Sequence, residues 1–204
     1  MKPPPTTDRW RPLIYLGTLV WGACVVVGFV LLIKYAIKQG RPGEAQAADG
    51  QRSPVTLHFF IHPQCPCTAA SVEQLDRLMS HVARNTRVTL WGHVATPRDY
   101  EFDAWSDTNT VERLGRIPNA TLVSDKDAVT AQAYQATTSG FLVVVRDGQQ
   151  VFRGGLTALR GHAGDSNAWT AALSASLGQR TALEWPVFGC SLIEERPPSE
   201  GGRR

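Results

Sequence analysis

A long uncharged apolar run near the N-terminus constrains this chain more than any other feature. It covers residues 13–33, which is 21 residues without a charged side chain. A helix of that length rises about 30 Å, which matches the hydrocarbon core of a bilayer. A cleaved signal peptide is the alternative, but its apolar stretch is usually only about 7–15 residues long. We therefore predict a retained transmembrane helix over residues 13–37, with residues 1–12 as its flank.

The charges around this run do not decide how the chain crosses the membrane. Three basic residues stand on each side, namely Lys2, Arg9 and Arg11 before the run and Lys34, Lys38 and Arg41 after it. The positive-inside rule therefore favours neither orientation. Beyond residue 41 the chain has 15 Lys and Arg against 17 Asp and Glu. This small negative excess argues against a nucleic-acid-binding surface.

The remaining chain divides into a linker, one domain and a tail. Residues 38–54 are rich in Gly, Ala, Pro and polar side chains without apolar periodicity, which is typical of a flexible linker. Residues 55–180 suffice for a single domain with its own core. Residues 181–204 then form a C-terminal tail.

Apolar patterns within this domain predict alternating strands and helices. The predicted strands are 55–61, 87–94, 120–124, 141–145 and 150–153. The predicted helices are 68–83, 108–116, 128–135 and a last one that Asp165 or Ser166 caps and that ends near Leu177. Alternating units favour a parallel half of one sheet, and the terminal hairpin adds an antiparallel half.

Cys65-Pro66-Cys67 lies where the first predicted strand passes into the first predicted helix of the domain. The positive end of the helix dipole and its unpaired N–H groups favour a thiolate there. Pro66 fixes φ and keeps both thiols near the helix terminus. A disulfide between residues two apart has little choice of dihedral angle, so it would be easily reduced. Redox or metal chemistry is therefore favoured over two alternatives, in which the cysteines are ordinary small core residues or staple the turn.

Two histidines and a third cysteine are candidates to join this pair. If strand 141–145 runs antiparallel to the first strand, the loop after its hairpin brings His162 to Cys65 or Cys67. Its imidazole could then assist proton transfer or complete a soft metal site; otherwise it is a solvated loop histidine. His62 is either a ligand or a turn residue. Cys190 either folds back to resolve an oxidised Cys65 or packs locally in the tail.

The other signals indicate no second kind of chemistry. His58, His81 and His93 fall within predicted strands or a helix, where structural or surface roles are expected. The sequence has no Walker loop, Rossmann glycine pattern, nucleophile-elbow serine or H-E-x-x-H motif. Nucleotide-binding and hydrolase functions therefore have no motif behind them.

The strand, the Cys-Pro-Cys turn and the helix, followed by Thr138-Ser139-Gly140 and a hairpin, resemble the thioredoxin-like superfamily over about residues 55–177. They resemble in particular bacterial membrane-anchored members of the TlpA and ResA type. The segments 62–67 and 160–165 also look like a group of predicted bacterial proteins labelled RedB. The resemblance implies a thioredoxin-like α/β fold, a central mixed sheet flanked by helices.

In function, the resemblance implies exchange with protein thiols or disulfides outside the cytoplasm, without a cofactor. Cys65 would be the exposed attacking thiol and Cys67 the resolving one, or the reverse. The domain would be periplasmic and tethered to the cell inner membrane by a single span. The motif is C-x-C where thioredoxins have C-x-x-C, and Ser139-Gly140 stands in the usual place of a substrate-presenting cis-proline. The residues expected to bind substrate are Pro66, Thr68, Ser139 and Gly140.

Three other functions stay open at this stage. If Thr68 takes the place of the second thioredoxin cysteine, the site is a single-thiol peroxidase in which Cys67 or Cys190 resolves the sulfenic acid. A binding module would instead hold Cu(I) for delivery to a membrane oxidase, with soft ligands drawn from Cys65, Cys67 and His162 or His62. The third is a thioredoxin-like scaffold without catalysis, which would tolerate loss of either cysteine.

Overall fold

The computed structural model describes residues 11–36 and 55–192. The predicted linker, most of the predicted N-terminal flank and the end of the tail lie outside the described residues. The domain boundaries at residues 37–54 and 193–204 therefore stay predictions.

The first helix, α1 (Arg11–Ala36), contains the uncharged run. Within it, Ile14–Tyr35 is long and apolar enough to cross a membrane, with a mean hydropathy of 2.5. Its large apolar side chains are exposed, and Trp21 is 71% accessible. Such a surface is unfavourable in water at about 25 cal/mol per Å². A membrane anchor and a signal sequence both fit a helix of this kind.

Residues 55–192 form five strands and five helices. The strands are β1 (Val55–Ile61), β2 (Val88–Thr96), β3 (Ala120–Lys126), β4 (Phe141–Arg146) and β5 (Gln149–Gly154). The helices are α2 (Thr68–Val82), α3 (Phe102–Ser106), α4 (Asn109–Gly115), α5 (Val129–Ala133) and α6 (Asn167–Ser176). Every predicted strand and helix of the domain is present, with its ends within two residues of the predicted ones. Ser166, one of the two predicted caps of α6, accepts a hydrogen bond from the Trp169 amide.

One sheet with the strand order β3-β2-β1-β4-β5 organises the domain. β1 pairs in parallel with β2, and β2 with β3, whereas β4 is antiparallel to β1 and β5. This is the predicted thioredoxin-like fold, a mixed sheet with helices on its faces. β1 lies in the middle, and all seven of its residues are buried.

The two faces of β1 enter different cores. Leu57, Phe59 and Ile61 pack with α2, α4 and α6 in the larger cluster. Phe60 faces the other way, into a smaller cluster that contains α5 and two tail residues, Val187 and Leu192. Two-residue alternation along a strand produces this division.

Helix α3 is the one described element that the sequence patterns missed. No helix was predicted there, because these residues form no apolar stripe. In the structure none of its five residues is buried. It is held instead by the Trp105 indole, whose Nε1 donates to the Ala95 carbonyl at 2.8 Å. The ring of Tyr100 packs on that indole with centroids 4.8 Å apart.

The C-terminal segment 183–192, called the tail segment below, lies against the sheet. The Arg153 amide donates to the Leu183 carbonyl at 2.7 Å, and the Trp185 amide donates to the Arg153 carbonyl at 3.0 Å. Val187 and Leu192 are buried against the smaller core. The tail segment is therefore part of the folded domain.

Candidate active site

The end of β1 and the start of α2 position the predicted Cys-Pro-Cys turn. The Cys65 amide donates to the His62 carbonyl at 3.1 Å, and the Thr68 amide donates to the Cys65 carbonyl at 3.1 Å. Cys67 is the N-cap residue of α2 and makes no side-chain capping bond. Both thiols therefore lie at the electropositive end of a 15-residue helix, as predicted.

Cys65 contacts a cysteine that is 125 residues away in sequence. Its Sγ lies 2.8 Å from the Sγ of Cys190, in a thiol–thiol hydrogen bond. The tail segment is held in this place by the Ser139 amide, which donates to the Cys190 carbonyl at 2.8 Å. The sequence left two hypotheses for Cys190, a tail that folds back to Cys65 or local packing within the tail. In the structure the tail folds back and Cys190 contacts Cys65.

The expectation that Cys65 is exposed is wrong for this conformation. Cys65 is 2% accessible and Cys67 is 9% accessible, whereas Cys190 is half-buried. The reason is the tail segment, which covers the turn and could not be foreseen from local patterns. In this conformation Cys65 is not open to a second molecule.

The surroundings of Cys65 stabilise its thiolate. Burial acts to raise the pKa of Cys65, but hydrogen bonds from Cys190, from the Thr68 hydroxyl and from backbone amides outweigh it. The pKa of Cys65 is therefore below that of an ordinary thiol. A lowered pKa marks the nucleophile in a group of thiols.

The two neighbouring thiols are shifted in the opposite direction. Burial, followed by the negative charge of Cys65, raises the pKa of Cys67, and the Arg160 guanidinium opposes this shift. Burial also raises the pKa of Cys190 to about 12, and its hydrogen bond to Cys65 adds to the effect. The Cys65 thiol therefore loses its proton more readily than either neighbouring thiol.

Arg160 is a site residue that the sequence reasoning missed. Its guanidinium hydrogen-bonds the Cys67 side chain, and its Nη1 donates to the Gly189 carbonyl at 2.5 Å. It therefore joins the Cys-Pro-Cys turn to the tail segment. The segment Arg160-Gly161-His162 contains a cation that can stabilise a thiolate, but its histidine was the predicted site residue.

The loop that carries His162 reaches the cysteines as the topology predicted. A Cβ added at Gly161 would lie 4.0 Å from the Cys67 Sγ. His162 itself is exposed, and its backbone amide donates to the Leu159 carbonyl at 3.4 Å. In the described part of the chain it has no hydrogen bond to either sulfur. Its role in proton transfer stays a prediction.

Thr68 and Ser139 support the turn from beneath. Both are 0% accessible, and their hydroxyl oxygens lie 2.6 Å apart. The Ser139 hydroxyl also accepts a hydrogen bond from the His62 amide at 2.8 Å. Neither hydroxyl is open to a docked protein, whereas Pro66 is exposed. Of the four predicted substrate-binding residues, these two shape the site rather than line it.

Gly140 immediately precedes β4, at the end of the sheet where β1 stops. Its amide donates to the Phe60 carbonyl at 2.8 Å. It has a φ of +91°, and an added Cβ would lie 2.8 Å from the Ser71 Oγ. A residue with a side chain is therefore unfavourable here. The bend is made without a cis peptide bond, since none occurs in the described residues.

The copper alternative needs a cluster of soft ligands. Among the described residues, no group of three or more His, Cys, Asp or Glu side chains is arranged to hold a metal ion. His62 packs edge-on against the Trp105 ring, with centroids 5.5 Å apart. A Cu(I) site at the cysteines therefore stays a prediction.

Comparisons with known proteins show the fold alone. No family model and no curated protein matches this chain. A solved structure of an uncharacterized conserved protein from Geobacillus kaustophilus is 20% identical with a TM-score of 0.56, covering 80% of this chain and 94% of that one. A hypothetical protein from Sinorhizobium meliloti 1021 is 18% identical with a TM-score of 0.51, covering 69% and 79%.

A third match is a secreted Mycobacterium tuberculosis disulfide oxidoreductase homologous to E. coli DsbE. It is 17% identical with a TM-score of 0.39, covering 61% of this chain and 81% of that one. A TM-score this low supports no inference about this chain. The thioredoxin-like assignment of the fold follows from the strand order and directions described above.

Proposed function

We propose that this chain is a membrane-anchored thiol–disulfide oxidoreductase that acts outside the cytoplasm through Cys65 and Cys67. The observation that carries the proposal is the lowered pKa of Cys65 at the start of α2, beside Cys67 and Cys190, whose pKa values are raised. A nucleophilic thiolate beside a resolving thiol is the minimum that dithiol exchange requires. The partners would be protein thiols or disulfides, and no cofactor is needed.

The exchange begins at Cys65. Its thiolate attacks one sulfur of a substrate disulfide, forms a mixed disulfide, and releases the other substrate sulfur as a thiolate. Cys67 then loses its proton and attacks the Cys65 Sγ, which releases the second substrate thiolate. Two electrons pass from the protein to the substrate, and a Cys65–Cys67 disulfide remains. The reverse sequence oxidises a substrate dithiol.

The site also contains groups that assist these steps. Thr68 and the backbone amides stabilise the Cys65 thiolate. The charge of Arg160 favours loss of the proton from Cys67. In this proposal His162, two residues from Arg160 on an exposed loop, assists proton transfer.

The cellular part of the proposal is a single-pass protein of the cell inner membrane with a periplasmic domain. It is supported by α1, which is apolar over Ile14–Tyr35. Disulfide chemistry also persists more readily outside the reducing cytoplasm. A C-terminal alkaline phosphatase fusion should be active in a periplasmic orientation, and deletion of residues 2–36 should release the protein from membranes. An inactive fusion would place the domain in the cytoplasm and contradict this part.

The redox part is tested on the full-length protein in detergent. Glutathione buffers of increasing oxidation should remove two thiols together, as counted by alkylation after acid quenching. Cys65→Ser should abolish this loss, and Cys24→Ser, in α1, should leave it unchanged. Thiols that stay reduced in every buffer would contradict the proposal, and stoichiometric protection by Cu(I) in that case would support the copper alternative. Loss of one thiol to peroxide, without a glutathione equilibrium, would support the peroxidase alternative.

A further inference from the structure

The tail segment holds Cys190 on Cys65 by contacts on both sides of it in the sequence. The Gly155 amide donates to the Pro186 carbonyl at 3.1 Å, and the Leu192 amide donates to the Thr137 carbonyl at 3.0 Å. Val187 and Phe188 are buried just before the cysteine. Cys190 is therefore positioned by the fold and is not merely a cysteine at a flexible end.

Gly189 shows how closely the tail segment approaches the site. A Cβ added there would lie 2.0 Å from the Ser139 carbonyl oxygen. That distance is far below any van der Waals contact, so the approach depends on the missing side chain. Arg160 adds a second connection, because it bonds both Gly189 and Cys67.

We propose that Cys190 is a third redox cysteine, which displaces Cys67 from Cys65 so that the settled oxidised form carries a Cys65–Cys190 disulfide. This inference rests on the proposed function, because Cys65 must first accept a disulfide. The sulfur separation of 2.8 Å leaves only a short movement to bond formation. A disulfide bond itself is about 2.05 Å long.

The displacement is an internal thiol–disulfide interchange. The Cys190 thiol loses its proton, and its sulfur attacks the Cys65 Sγ. The Cys65–Cys67 bond breaks, and Cys67 leaves as a thiolate that can take up the proton. One S–S bond forms and one breaks, so the protein gains or loses no electrons in this step.

Geometry favours the second disulfide over the first. Residues 65 and 67 are separated by one proline, which leaves little freedom for the dihedral angles of a disulfide. Cys190 lies in a separate segment, 125 residues from Cys65 in the sequence. The dihedral angles of a Cys65–Cys190 disulfide are therefore not restricted by an intervening proline. The guanidinium of Arg160 beside Cys67 also stabilises the thiolate that leaves.

The test maps the disulfide in full-length protein carrying Cys24→Ser, oxidised by glutathione disulfide. Trypsin places Cys65 and Cys67 on the peptide of residues 53–77 and Cys190 on another peptide that begins at residue 181. The expected result is a cross-link between these peptides. It should persist in Cys67→Ser and disappear in Cys65→Ser and Cys190→Ser. In Cys190→Ser a bond within peptide 53–77 should replace it, and the equilibrium constant for oxidation by glutathione disulfide should fall about tenfold.

The other outcomes separate this inference from the proposed function. A disulfide confined to peptide 53–77 in the protein with Cys190 intact would overturn the inference and leave Cys65–Cys67 exchange standing. A cross-link that survives Cys65→Ser but not Cys67→Ser would overturn it as well. No intramolecular disulfide in any variant would overturn both. Thermal unfolding of each variant establishes that the domain is folded in the comparison.

Discussion

The Ser139 amide donates to the Cys190 carbonyl at 2.8 Å, which places a tail cysteine beside a residue two positions before β4. The same serine, through its hydroxyl, bonds the His62 amide and Thr68. One buried residue thus connects the end of β1, the start of α2 and the tail segment. Substitutions at this junction should therefore alter the reactivity of Cys65 although they leave the cysteine itself in place.

Gly189→Ala should loosen the tail segment, because the new Cβ would clash with the Ser139 carbonyl. Cys65 should then become accessible, and its alkylation by iodoacetamide should be about tenfold faster, which corresponds to about 1.4 kcal/mol in the opening equilibrium. Gly28→Ala in α1, where an added Cβ meets nothing within 4 Å, is the matched control. An unchanged alkylation rate would mean that the tail segment does not shield Cys65.

Thr68→Val removes a hydroxyl that stabilises the Cys65 thiolate, so it should raise the pKa of Cys65. The pH profile of alkylation should move to higher pH, and the rate at neutral pH should fall several-fold. Loss of the bond to Ser139 should also cost about 1 kcal/mol of unfolding free energy. Thr121→Val, on the exposed side of the edge strand β3, is the control, and a profile identical to it would contradict the assignment.

Arg160→Met should weaken two contacts at once. Without the guanidinium, the pKa values of Cys67 and Cys190 should both rise, because its charge lowers each of them. Ultraviolet absorbance of the thiolates, recorded against pH, should shift to higher pH. Arg160→Lys keeps a positive charge, so its titration should lie between those of Arg160→Met and the unchanged protein. Arg180→Met, at an exposed position, should titrate like the unchanged protein. Equal titrations for Arg160→Met and Arg180→Met would exclude a role for Arg160 at the thiols.

Two buried histidines should make the domain sensitive to acid. The His58 Nδ1 and His93 Nε2 lie 3.0 Å apart beneath Tyr134, and burial, followed by the charge of His58, lowers the pKa of His93 to about 3. An unfolded His93 binds a proton near its ordinary pKa of 6.5, so the folded state binds fewer protons between these values. Stability should therefore fall as pH falls below about 6.5, by up to about 1.4 kcal/mol per pH unit.

Urea unfolding of the full chain at about pH 7 and at about pH 5 measures this effect. His93→Gln should reduce the loss of stability between the two pH values. His81→Gln, at an exposed position on α2, is the control, and between the two pH values it should lose as much stability as the unchanged protein loses. If the unfolding free energies of His93→Gln and His81→Gln fell equally between the two pH values, the buried pair would not cause the pH dependence. The sequence predicted structural or surface roles for His58 and His93, but their pairing across β1 and β2 depends on strand register.

Local patterns were sufficient for most of the elements. β1 is bounded as predicted, because six of its seven residues are apolar or β-branched and the run ends at a His-Pro turn. Thr108 was predicted to lie at the start of a helix, and its side chain caps α4 by accepting from the Val111 amide. Helix α3 was not predicted, because it has no apolar stripe and is held by the hydrogen bond from the Trp105 indole to the Ala95 carbonyl.

The site was predictable in part. Cys65 and Cys67 could be placed because a motif at a strand–helix junction is a property of adjacent residues. The direction of β4 against β1 was also enough to bring the loop with His162 towards the thiols. The strand direction alone does not determine which side chain of that loop contacts the thiols. In the structure Arg160, not His162, hydrogen-bonds Cys67.

The sequence by itself determined the apolar run, the order of strands and helices and the Cys-Pro-Cys turn, since each depends on neighbouring residues and their periodicity. Only the tertiary structure decided that Cys190 contacts Cys65 and that Cys65 is covered. That contact joins residues 125 positions apart. It depends on backbone bonds from Gly155, Ser139 and Leu192 and on the close passage of Gly189, none of which leaves a periodic trace in the sequence.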